Sequence, residues 1–147
     1  MKEIKFRGKR IDNGEWVYGT LVVSKNSYYI VTTNAKVRWM DWNYCEIFGI
    51  YRVIPKSIGQ FTGQKDKNND GIYEGDIVRD FGMLGEKANE RIGIVIWDSK
   101  EARFDIKSAR NIPREWSNEM GRWWSWEEIE VIGNIHENPE LLKEAKP

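Results

Sequence analysis

The sequence holds one cysteine and one histidine in 147 residues. Cys45 alone cannot form an intramolecular disulfide, and a lone thiol fits a reducing compartment. A tetrahedral Cys/His zinc site needs four ligands, so one chain cannot supply it. A nucleophilic pair of Cys45 with His136 has the residue types without the setting. Tyr44 and Glu46 flank the cysteine, and no basic neighbour or helix start is there to lower its pKa. His136 precedes Glu137 at a strand end and reads as a capping or surface residue. Net charge is missing too: 23 Lys+Arg balance 23 Asp+Glu, which excludes a wholly cationic nucleic-acid coat. The longest apolar run, residues 92–97 with Gly93 inside it, falls far short of the ~20 residues of a bilayer span. The charged start, residues 1–7, has no apolar stretch behind it and does not read as a signal peptide. No glycine-rich phosphate-binding motif is present. These absences lead us to expect a cytoplasmic protein with no membrane segment, no metal, no cofactor and no catalytic residues.

What is present is aromatic and charged: 13% aromatics with eight Trp, and 31% charged residues. Disordered chains are poor in aromatics, so a folded core is expected. A chain of this length buries roughly 70% of its unfolded surface and needs no staples. The zero net charge hides an asymmetry, +5 over residues 1–73 and −5 over residues 74–147.

The pattern is one of short strands divided by turns. Residues 4–7 alternate apolar and basic, and Asp12-Asn13-Gly14 marks a turn before the β-branched and aromatic run 15–23, which predicts a hairpin. Residues 28–32 and 51–54 read as further strands, the latter ended by Pro55, while 37–42 are less regular. After the polar turn 65–71 come strands over 72–80, 91–98, 103–107 and 130–135. The run 91–98 is the most apolar and is expected at a central position, with Trp97, like Trp16, in the core. A short helix is predicted over 113–120 and another over 138–145, with Asn138 as N-cap and Leu141 and Leu142 packing it down. Gly75, Gly93 and Gly133 fit the kinks of a small bent barrel. The expected fold is all-β. An N-terminal antiparallel sheet region occupies residues 1–62. A small SH3-like or related barrel with a C-terminal helical turn occupies residues 63–147, and the two pack as one unit.

Three clusters invite a functional reading. Asp66, Asn68 and Asp70 with Gly71 imitate positions 1, 3, 5 and 6 of a calcium loop, but position 12 is Ile77 where a bidentate Glu is required. A polar turn explains them without a metal. The second cluster is Arg122-Trp123-Trp124-Ser125-Trp126. An extended segment cannot point all three Trp into one core, and Trp and Arg dominate binding hot spots. The third is the basic start, where Lys5, Arg7 and Lys9 share one strand face and suit phosphates or an acidic partner.

Three stretches go beyond composition. They are residues 5–9 with 14–19 (Lys-Phe-Arg-Gly-Lys and Gly-Glu-Trp-Val-Tyr-Gly), residues 58–68 with 72–78, and residues 130–142 from Glu130 to Leu142. Together, in this order and over nearly the whole chain, they resemble the YopX family of phage and prophage proteins. The resemblance implies an all-β protein with a small barrel-like part, and it offers no catalytic residues to carry over. The family more often has Gly where this chain has Asn69, and Asn tolerates the left-handed conformation such a turn needs.

These observations favour a non-enzymatic accessory protein that binds a phage or host protein or a nucleic acid. Lys5, Arg7, Lys9, Arg122, Trp123, Trp124 and Trp126 are the candidate contacts. Two alternatives stay open. One is a metal-dependent hydrolase or nuclease with Asp66, Asp70, Glu74 or Asp76 as ligands, and the other is a homo-oligomeric assembly protein.

Overall fold

A computed structural model describes residues 2–42, 45–81, 90–109 and 124–144. The helix predicted over 113–120 lies outside them. The chain divides into two compact units, Met1–Phe61 and Thr62–Pro147.

The first unit is an antiparallel sheet of strands β1 (Phe6–Lys9), β2 (Trp16–Ser24), β3 (Ser27–Trp39) and β4 (Cys45–Arg52), followed by a 3-10 turn, Pro55–Ser57, and the start of β5 (Gly59–Lys65). The strand order is β4-β3-β2-β1-β5. Gly14, at φ +72°, closes the β1–β2 hairpin with its N–H on the Arg10 carbonyl at 3.0 Å. A two-residue turn joins β2 to β3, since Ser24 pairs with Ser27. The core of this unit is small and centres on Ile30 and Val53. Gly8 lets β1 approach Val53: a Cβ there would lie 2.9 Å from the valine Cβ. The 3-10 turn is tied to β1 by the Lys9 N–H, which donates to the Ser57 hydroxyl at 2.7 Å.

The second unit holds the end of β5, then β6 (Gly71–Tyr73), β7 (Asp76–Asp80), β8 (Arg91–Asp98), β9 (Arg103–Ser108), β10 (Glu130–Asn134) and the short helix α1 (Glu140–Glu144). Four strands make an antiparallel sheet in the order β10-β7-β8-β9, so the apolar β8 is an inner strand, as expected. Alternation along β7 sends Ile77 and Val78 to opposite faces, and each face gathers its own apolar cluster. Val78 joins Ile72, Val95, Ile106 and Ile129, with Trp124, Trp126 and Val131 packed on them. Ile77 joins Ile92, with Ala109, Ile132, Leu141 and Leu142. Helix α1 is therefore held by the two leucines that its sequence pattern singled out.

Three expectations are corrected. No closed barrel forms among the described residues. The free edge of β10 meets the turn after β5 rather than another ladder: the Lys67 N–H donates to the Ile129 carbonyl at 3.0 Å, and the Val131 N–H to the Asp66 carboxylate at 3.0 Å. A turn has no further backbone groups in register to continue the sheet. Trp97 is 46% exposed rather than core. It sits near the end of β8, where it meets Phe104 edge-on with centroids 5.1 Å apart. Asn138 does not cap α1 with its side chain; its Oδ1 accepts the Asn134 N–H at 3.3 Å, back across the preceding turn.

That last contact explains Gly133. A β-bulge places Val131 and Gly133 opposite the adjacent residues Val78 and Ile77. Asn138 then folds over the glycine, where a Cβ would lie 2.5 Å from its Oδ1 and 2.9 Å from its Cβ. Gly133→Ala is therefore expected to lower the unfolding free energy by ~1–3 kcal/mol, the range for overpacking. Urea denaturation measures it, and an unchanged midpoint would contradict this packing.

Candidate functional site

Of the basic residues at the start, Lys5 precedes β1, while Arg7 and Lys9 lie within it and both meet one aromatic ring. The Arg7 guanidinium stands 4.7 Å over the Trp16 ring and Lys9 Nζ 5.6 Å over the same ring, while Lys5 Nζ lies 4.8 Å over Phe61. These are cation–π distances. Arg7 is only 7% exposed. Arg10 continues the pattern over Tyr51 at 4.1 Å and pairs with Asp12, whose carboxyl it holds below the usual range.

Of the tryptophan cluster, Arg122 and Trp123 lie outside the described residues. Trp124 and Trp126 are half-buried against the Val78 core cluster, and the Arg91 guanidinium covers the Trp124 ring at 4.6 Å.

The acidic candidates do not converge. The Asp66 carboxylate is buried and accepts three backbone N–H groups, from Asn68 at 2.8 Å, Asp70 at 3.0 Å and Val131 at 3.0 Å. Asn69, at φ +69°, takes the left-handed conformation that the turn demands. The Asp76 side chain is buried and accepts the Tyr73 N–H at 2.8 Å. Among the described residues, no three His, Cys, Asp or Glu side chains stand close enough to hold a metal ion. An open groove of ≈ 470 Å³ runs beside the turn, lined by Gln64, Lys65, Lys67, Asn69 and Glu127 among others. Next to it, Glu130 receives Lys67 at 3.0 Å and Arg79 at 2.8 Å, while Arg79 also reaches Glu90 at 3.7 Å and stacks over Phe81 at 5.3 Å. Hydrogen bonds from Arg79, then Lys67, hold the Glu130 carboxyl below its ordinary value.

The sequence pattern missed the most exposed apolar feature. Residues 37–42 looked irregular, yet β3 runs to Trp39 and pairs with β4 after a register shift between Val31 and Lys36. Pairing of β2 with β3 stops at Gly19–Thr32, so among the described residues β3 and β4 form a two-stranded arm from Lys36 onward. Val37 faces Ile47 and Trp39 faces Cys45 across the ladder. These four residues therefore share one side of the arm, and Lys36, Arg38, Glu46 and Phe48 share the other. Val37 is 52% exposed, Ile47 49% and Trp39 72%, and in the connecting segment Trp42 is 99% exposed. The alternation Val37-x-Trp39 answered by Cys45-x-Ile47 was the signal available in the sequence.

A family model described as YopX protein matches residues 5–143. The chain belongs to the YopX family. A solved structure described as protein EF1440 from Enterococcus faecalis is similar at 28% identity, covering 97% of this chain and 99% of that one with a TM-score of 0.60. No match is found among curated proteins. No helix among the described residues is long and apolar enough to cross a membrane.

The stretches that carry the YopX resemblance are engaged in building the fold. In the first, Arg7 and Lys9 cover Trp16 and Gly8 admits Val53. In the second, Asp66 holds its turn to β10. Gly75, at φ +86°, donates to the Val95 carbonyl at 2.9 Å and accepts the Ile135 N–H at 3.0 Å. In the third, Asn134 Oδ1 accepts the N–H groups of His136 and Glu137, each at 3.0 Å. The YopX motifs thus read as structural positions, and the arm lies between the first two of them.

Two outcomes are expected. Asp66→Asn replaces one acceptor oxygen with a donor facing backbone N–H groups, and should destabilise by ~1–3 kcal/mol in urea; an unchanged midpoint would contradict the assigned hydrogen bonds. Glu130 has a lowered folded-state pKa, so its contribution is present above the unfolded value of 4.5 and is lost as pH falls through the depressed one. The drop in melting temperature from pH ~6 to ~3.5 should therefore be smaller in Glu130→Gln than in the parent, compared by thermal melts.

Proposed function

We propose that this YopX protein is a phage or prophage accessory protein that acts in the cytoplasm of its bacterial host, without catalysis, by contact with protein. The observation that carries this reading is the bare apolar face of the arm. Large exposed apolar surface rimmed by polar residues marks interaction sites, and tryptophan is the residue most enriched at binding hot spots. The lone free thiol of Cys45 agrees with a reducing compartment.

Two other readings have less support. Nucleic-acid binding needs cations that neutralise phosphates. Here Lys5, Arg7 and Lys9 lie over aromatic rings, with Arg7 buried. A metal-dependent hydrolase needs carboxylates grouped at one point, whereas those of Asp66 and Asp76 accept backbone N–H groups.

Chemical cross-linking of the tagged chain inside bacteria tests the reading. We expect adducts above the mass of one chain that resist nuclease and disappear in Trp39→Ser/Trp42→Ser, a variant that should melt within ~2 °C of the parent because both side chains are exposed. Adducts that nuclease destroys, or that the double variant retains, would overturn it.

A further inference from the structure

We draw no further inference here: the strongest candidate, the apolar face of the β3–β4 arm made by Val37, Trp39, Cys45 and Ile47, belongs to the surface already described, and nothing in the structure shows what covers it.

Discussion

A single carboxylate joins the parts of the second unit that the chain keeps farthest apart. Asp66 accepts the N–H groups of Asn68 and Asp70 within its own turn and that of Val131, 65 residues later. A buried N–H without an acceptor costs ~1–3 kcal/mol, so the turn, the β10 edge and the Ile129 core contact are energetically tied together. The same device recurs where other strands end: Asp76 serves Tyr73, Asn134 serves His136 and Glu137, and Asn138 serves Asn134. Short strands leave many backbone groups without a ladder partner, and acidic or amide side chains at the turns supply the missing acceptors. Two of the acidic residues that looked like metal ligands in sequence, Asp66 and Asp76, are consequently turned inward to the backbone.

The strands were legible because their alternation is clean and because Gly, Asn and Asp mark the turns. Ile77 and Val78 face two separate clusters as period-two alternation requires. The arm was not legible as a strand pair. Its sequence, Lys36-Val37-Arg38-Trp39, alternates correctly, but its register with β4 follows a shift after Val31 that no local pattern announces. Barrel closure was equally beyond the pattern. The glycines that suggested it are explained instead by close approach, Gly93 to Ile106 and Gly133 to Asn138, and by the positive φ of Gly75. Of the candidate contacts, the sequence placed Lys5, Arg7 and Lys9 on one face but could not show that aromatic rings lie beneath them. Trp16, 7 residues beyond Lys9, reaches them only through the β1–β2 register that pairs it with Lys9.

Charge in this protein is handled locally. Glu130 collects Lys67 and Arg79, Arg79 reaches on to Glu90, and Asp80 pairs with Arg91. Arginines then place their remaining flat surface on rings, Arg79 on Phe81 and Arg91 on Trp124. Guanidinium groups suit this double use because the planar fork binds a carboxylate edge-on while its face stacks. Several charges of the described residues are thus neutralised by near neighbours, and part of the positive charge of the first half lies over Trp16, Phe61 and Tyr51.

Against that economy the arm is an exception that calls for a physical cause. Elsewhere in the first unit Trp16 receives cover from Arg7 and Lys9, and the exposed Ile4, Ile11 and Val23 are smaller side chains than Trp39 and Trp42. On the arm, β4 is an edge strand, and exposed apolar edges are liabilities that proteins ordinarily blunt with charge or bulges. Here charge is present, at Lys36, Arg38 and Glu46, but it sits on the face opposite Val37, Trp39 and Ile47. Placing it on either face would have been equally compatible with the backbone hydrogen bonds, since register fixes only which residues share a face. The segregation therefore makes no contribution to the ladder itself. It leaves one face suited to burial and the other to water, which is the division expected of a strand pair with a packed side.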